Sequence, residues 1–178
     1  ECWGRESEGQ GGYREGPYSQ VSAGYFHNCA IYAEGGFEAA GDIDCWGFNS
    51  SGQAFGIEGP FVQVSAGNSH TCALNIYGGV ECWGDDTYGQ SAYHAGPYTQ
   101  VSVGYRFTCA LKEDGGAIDC WGEFSDPFGS DATPAIGHPG PFIQVAAGNV
   151  YACGLTTNLD IECWPEPTPG QAKDQPGP

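Results

Sequence analysis

The sequence predicts an all-β protein: a segment of a β-propeller built of four-stranded blades of about 40 residues. Three observations carry this. First, Cys-Trp recurs at Trp3, Trp46, Trp83, Trp121 and Trp164, with spacings of 43, 37, 38 and 43 residues. Second, a block reading G-P-Y/F-x-Q-V-S/A-A/V-G occurs at Gly16–Gly24, Gly59–Gly67, Gly96–Gly104 and Gly140–Gly148. Third, no apolar period of 3.6 is sustained, and 30 Gly with 12 Pro oppose long helices.

The elements of one unit follow in a fixed order. The Gly-Pro block gives a first strand. A second strand, H/F/Y-x-C-A-L in its fullest form, ends in a Gly-bearing turn. A third reads V/I-E/D-C-W-G. In Thr71–Leu74 and Val80–Trp83 the last two are joined by Asn75–Gly79, the pattern of a β-hairpin. A turn W-G-x-x-x-x-G-Q then follows at Trp3–Gln10, Trp46–Gln53 and Trp83–Gln90. The fourth copy departs from it at Pro127-Phe128, and the fifth has Pro165 after Trp164. Blade cores are therefore expected near residues 16–46, 59–83, 96–121 and 140–164. Residues 1–10 read as the end of a preceding blade. The whole repeat region is 1–164, and the Pro-rich stretch 165–178 reads as a tail or linker. Four hairpins and a half blade are incomplete, or open, relative to a seven-bladed ring.

Composition excludes several classes. The formal charge is −17, and the few basic residues, Arg5, Arg14, Arg106, Lys112 and Lys173, do not cluster. Nucleic acid and anionic membranes are thus not expected partners. No apolar run approaches the ~20 residues of a spanning helix, so membrane insertion is not expected. Aromatics at 13% and apolar residues at 40% argue against disorder. The chain contains no Met and opens on Glu1, so it reads as processed or as part of something longer.

Nine Cys point to an oxidising compartment. Eight fall in pairs that flank one turn: Cys29 with Cys45, Cys72 with Cys82, Cys109 with Cys120, and Cys153 with Cys163. Facing positions on antiparallel strands lie close enough for a disulfide. Structural zinc prefers close Cys pairs, which do not occur here. His27 and His70 precede a Cys by two, but Phe107 and Tyr151 take that place in other copies, which does not suit a ligand. No metal and no cofactor is expected. Cys2 is left over, either partnered upstream of the sequence or joined to another chain.

These residues resemble the regulator-of-chromosome-condensation repeat family, with matching segments at Val64–Gly67, His70–Leu74, Gly79–Gly84 and Gly89-Gln90. The resemblance covers nearly all of Glu1–Trp164. It implies a β-propeller, usually seven-bladed. The Cys-bearing form looks most like secreted and cell-surface members, such as crinkly-type receptor kinase ectodomains. The family also holds an exchange factor for the small GTPase Ran and a secreted β-lactamase inhibitor. Neither role can be placed residue by residue, since the repeated motif is scaffold.

Other candidates have plain readings. The tryptophans Trp3, Trp46, Trp83, Trp121 and Trp164 read as inter-blade core rather than a sugar platform. The turn Asp85–Tyr88 reads as a solvated turn rather than a calcium loop, because the matching turns lack its oxygens. Gln20, Gln63, Gln100 and Gln144 read as backbone partners within or between blades. Acidic residues such as Glu6, Glu8, Glu15, Asp42, Asp44, Asp114 and Asp119 show no catalytic spacing. Asn49-Ser50-Ser51 is a glycosylation sequon on a turn. The inserts Ala33–Gly41 and Gly129–His138 break the rhythm and are the expected partner contacts.

The sequence thus points to an extracellular or cell-surface, non-enzymatic propeller. Structural assembly or protein–protein interaction is the first reading, with a protein partner or further copies of the same protein as its ligand. A filament or appendage would fit that reading. The alternative is a ligand-binding module, either glycan-binding or an inhibitor of a protein. A small-GTPase exchange factor is disfavoured by the acidity and the Cys pairs.

Overall fold

The computed structural model describes residues 7–35, 38–125 and 133–165. It contains four antiparallel sheets and, among the described residues, no helix. The first blade is β1 (Tyr18–Ala23), β2 (His27–Tyr32) and β3 (Ile43–Gly47). The second is β4 (Phe61–Ala66), β5 (His70–Asn75) and β6 (Val80–Gly84). The third is β7 (Tyr98–Val103), β8 (Phe107–Lys112), β9 (Ile118–Phe124) and β10 (Thr133–Pro134). The fourth is β11 (Phe142–Ala147), β12 (Ala152–Thr156) and β13 (Ile161–Trp164). Each sheet runs in sequence order, as an up-and-down meander does.

The register repeats from blade to blade. Every first strand carries an irregularity one residue after its opening aromatic, between Tyr18 and Gln20 and at the three equivalent places. That bulge turns the following Gln sideways, toward the next blade. The fourth strand is shorter than the repeat suggests. In the first two blades it is a single bridge, Ile43 with Ile57 and Val80 with His94. In the third it is β10 plus the bridge of Ile118 with His138. The Gly and Pro residues that flank these positions leave few amides for a longer ladder.

The glycine after Trp46, Trp83 and Trp121 is required by the backbone. Gly47, Gly84 and Gly122 have φ of 108°, 106° and 94°, a region that L side chains rarely adopt. This conformation throws the chain outward into the W-G-x-x-x-x-G-Q turn. Gln53 then reaches the second blade, where its carbonyl accepts from the Trp83 Nε1 (3.1 Å) and the Thr71 hydroxyl (2.8 Å). Gln90 does the same for Trp121 (3.0 Å) and Thr108 (3.0 Å) in the third.

The core lies between blades rather than within them. One cluster joins Cys29, Ile31 and Ile43 of the first blade to Phe61, Val64 and Ala73 of the second. The equivalent clusters join the second to the third blade and the third to the fourth. The repeated Val of the first strand shows the pattern. Val64, Val101 and Val145 are 1%, 1% and 2% exposed, whereas Val21 is 62% exposed. One residue type at one repeat position therefore has two energies. Val64→Ala is expected to cost about 2 kcal/mol, as lost burial plus a cavity. Val21→Ala should change stability by less than about 0.5 kcal/mol. Urea unfolding of the two variants compares them, and equal losses would contradict this packing.

Candidate interaction surfaces

Three joints hold the four blades together, and each uses the same parts. At the inner strands, the Gln side chain of one blade accepts from the next blade's backbone. Gln20 Oε1 accepts from Val64 N (2.8 Å), Gln63 from Val101 N (2.8 Å) and Gln100 from Val145 N (2.8 Å). Two residues on, Ser22, Ser65 and Ser102 accept from Ala66 N, Val103 N and Ala147 N. On the second strands, His27 donates to the Thr71 hydroxyl (2.7 Å) and His70 to that of Thr108 (3.0 Å). Each hydroxyl gives its own hydrogen to a Gln carbonyl, so it accepts from the imidazole and fixes the Nε2–H tautomer. Phe107 and Ala152 replace that pair by an apolar contact in the third joint. At the outer edge of the first three blades the isolated bridges add the fourth strand, each through two backbone hydrogen bonds.

Burial sets the protonation of these imidazoles. His27 and His70 have no exposed surface, and burial lowers both to about 4. For His70, nearby Asp85 opposes the shift and His27 adds to it. Nδ1 of each ring has no hydrogen-bond partner in the neutral form, and only for His70 does a backbone contact, with Phe107, favour the charged form. His94 is also lowered by burial, and its ring stacks on Trp121 with centroids 3.9 Å apart. These histidines are neutral structural groups at neutral pH.

The eight hairpin cysteines sit directly opposite one another in the strand register. Disulfides join Cys29 to Cys45, Cys72 to Cys82, Cys109 to Cys120 and Cys153 to Cys163, with Cα separations of 4.0–4.1 Å. These are the narrow pairs of an antiparallel ladder. Cys29, Cys72 and Cys109 are fully buried against the following blade. Trp46, Trp121 and Trp164 are buried and Trp83 is half-buried. All four donate their indole N–H to a backbone carbonyl: Gln10, Gln90, Ile136 and Gln53 respectively. Cys2 and Trp3 lie outside the described residues, as does nearly all of the Pro-rich tail.

Asn49 is exposed, and its Oδ1 accepts from Ala54 N (2.9 Å). Asp86 braces Ser91 N in the same way one blade later (2.8 Å), so this turn brace exists without a sequon. Of the first insert, residues 36–37 are not described. Of the second, residues 129–132 are not, while Thr133–Pro134 and His138 complete the edge of the third blade. Among the described residues, no group of three or more His, Cys, Asp or Glu could hold a metal ion.

Three concave surfaces formed by the described residues have distinct positions. Gly24-Tyr25, Gly67-Asn68, Gly104-Tyr105 and Gly148-Asn149 converge from all four blades around a depression of about 260 Å³. At the other end of the inner strands, Val62, Thr99 and Ile143 border one of about 520 Å³. Val62 and Ile143 there are exposed. The third, of about 500 Å³, lies on the outer face of the first blade and is lined by Arg14, Tyr18, Val21, Ala23, Asn28 and Trp46, among others. Arg14 sits 5.0 Å over the Trp46 ring there. The sequence alone did not mark this face, because its residues are ordinary repeat positions.

The pattern of the regulator of chromosome condensation (RCC1) repeat matches residues 18–53, 61–90 and 98–126, more than half the chain. The fourth blade lies outside those matches. Among solved structures, the ectodomain of the Physcomitrella patens receptor kinase CR4 is similar at 30% identity and a TM-score of 0.65. That similarity covers 83% of this chain and 40% of the other. The CRINKLY WD40 ectodomain of the Arabidopsis thaliana receptor kinase ACR4 is similar at 26% identity and a TM-score of 0.62, over 89% and 54% of the two chains. Prp20p of Saccharomyces cerevisiae shares the fold at 16% identity and a TM-score of 0.64, over 86% and 46%. The chain spans about half the length of these structures. No curated protein sequence matches it.

Proposed function

Because this chain belongs to the regulator of chromosome condensation (RCC1) repeat family, we propose that it is an extracellular, non-enzymatic propeller segment that engages protein partners. The observation that carries this reading is the disulfide in every blade. Such bonds persist in oxidising compartments and are removed in the cytosol and nucleus. The likeness to two plant receptor ectodomains supports the same compartment. Propeller repeats supply a rigid scaffold, and the ends of the inner strands present what varies between copies. Here those ends carry exposed Tyr25 on one side and exposed Val62 and Ile143 on the other. Exposed aromatic and aliphatic groups at a rigid concave mouth suit a protein surface better than a charged solute.

A photocrosslinker at Val62 or Tyr25, offered to intact source cells, tests this. It is expected to trap a protein at the cell surface. Adducts confined to glycans would replace the reading with a sugar-binding module, and no adduct at either mouth would overturn it.

A further inference from the structure

Asn49-Ser50-Ser51 is a motif that neither the joints between blades nor the axial mouths use. None of the other five Asn residues has Ser or Thr two places on, so the chain holds a single acceptor sequence for N-linked sugar. Asn49 lies in the turn that carries the chain from β3 to β4, and that turn joins the first blade to the second through Gln53. Both blades are described, so the exposure of Asn49 does not depend on where the sequence begins or ends.

All three residues of the motif are exposed. The fold holds only one atom of the Asn49 side chain. Its Oδ1 accepts from Ala54 N (2.9 Å), while its backbone carbonyl accepts from Gly52 N (3.3 Å). The second blade builds the same turn on Asp86, whose Oδ1 accepts from Ser91 N (2.8 Å) and whose carbonyl accepts from Gly89 N (3.1 Å). A carboxylate therefore does everything this turn asks of the side chain, and the amide nitrogen is surplus to it. Among the described residues, Asn49 Nδ2 makes no hydrogen bond. The Ser51 hydroxyl makes none either, since only its backbone N–H is used, by Gln53 Oε1 (2.9 Å).

We propose that Asn49 carries an N-linked oligosaccharide. This rests on the extracellular reading, because the transfer takes place on secreted and cell-surface chains. Nδ2 attacks the anomeric carbon of an oligosaccharide held on a lipid pyrophosphate. The N–C bond forms, the C–O bond to the pyrophosphate breaks, the lipid pyrophosphate leaves with the electron pair, and Nδ2 gives up one of its two protons. Oδ1 remains a carbonyl acceptor throughout, so the bond from Ala54 N survives and the folded turn accommodates the product. The sugar stands at a defined end of the array. In an antiparallel meander β3 finishes where β1 turns into β2, and Phe48, beside Asn49, packs on Phe26 with ring centroids 6.0 Å apart. The glycan thus marks the rim of the Tyr25 end and leaves the end that carries Val62 and Ile143 clear.

Peptide mapping of the protein purified from its source cells tests this, with variants expressed in the same cells. The peptide that contains Asn49 is expected to carry a glycan, and its release by peptide N-glycosidase is expected to leave Asp at that position. Asn49→Asp keeps the Oδ1 brace and removes the amide. Ser51→Ala keeps the backbone bond to Gln53 and removes the hydroxyl. Both should lose the glycan completely while retaining the four disulfides, which shows that they fold. Ser51→Thr preserves the motif and should keep the glycan. An unmodified Asn49 in protein that bears its disulfides and reaches the cell surface would overturn this site and leave the extracellular reading standing. A glycan that persists in Ser51→Ala would overturn the site as well. An unmodified Asn49 together with free thiols in the four hairpins would overturn both.

Discussion

Acidification from pH 6.5 to pH 4 is expected to destabilise the protein by several kcal/mol through its buried histidines. His27 and His70 are neutral in the fold, held to about 4 by burial. In the unfolded chain a histidine titrates near 6.5. Between those values the unfolded state binds more protons, so stability is full above about pH 6.5 and falls as pH drops toward 4. At about 1.36 kcal/mol for each pH unit between the two values, the loss approaches about 3 kcal/mol for each ring. The geometry agrees with the direction. The Nε2–H of His27 is committed to Thr71, and a proton on Nδ1 would lie against Gly24 with nothing to receive it. Relief of the −17 charge acts the other way as carboxylates protonate, mostly below pH 5. The control is supplied by the repeat itself, since Phe107 fills the same position in the third blade. Replacing both His27 and His70 by Phe should flatten the profile between pH 6.5 and 5. Urea midpoints at stepped pH measure it, and parallel profiles for parent and variant would contradict the assignment.

The second large effect is loss of a staple. Replacing Cys72 and Cys82 together by Ala is expected to cost about 3 kcal/mol from the unfolded chain alone, given a sequence separation of 10. Cavity formation adds to this, because Cys72 is fully buried against the third blade. Cys153 and Cys163 have the same separation, so the unfolded-state part should be equal. Cys153 is only half-buried, so the packing part should be smaller. The inner deletion is therefore expected to cost about 1 kcal/mol more than the outer one, and guanidinium unfolding of the two double variants measures the difference. Equal losses would mean that the disulfides act on the unfolded chain and contribute nothing to the joints.

Much of this architecture was legible from spacing. Hairpin turns fix which residues face each other, so the opposition of Cys29 and Cys45 follows from local sequence. The RCC1 resemblance rests on five correlated copies and is matched over three of the described blades. What spacing does not carry is which residues meet between blades. Ile57, His94 and His138 occupy one place in the fold but share no chemistry, because a backbone bridge asks nothing of its side chains. The role of Gln20 depends on a bulge that turns it toward the next blade, a tertiary event with no sequence mark beyond repetition. The repeat length predicts a full fourth strand, yet the structure has a bridge or a two-residue pair there, because Gly and Pro interrupt it.

We propose an extracellular array whose every blade is stapled within its own hairpin. Non-reduced peptide mapping of the native protein, after labelling intact source cells with a membrane-impermeant biotin, tests it most directly. The expected result is biotin-bearing protein with Cys29–Cys45, Cys72–Cys82, Cys109–Cys120 and Cys153–Cys163 linked, and no alkylation at these positions before reduction. Unlabelled protein with free thiols at those positions would contradict it.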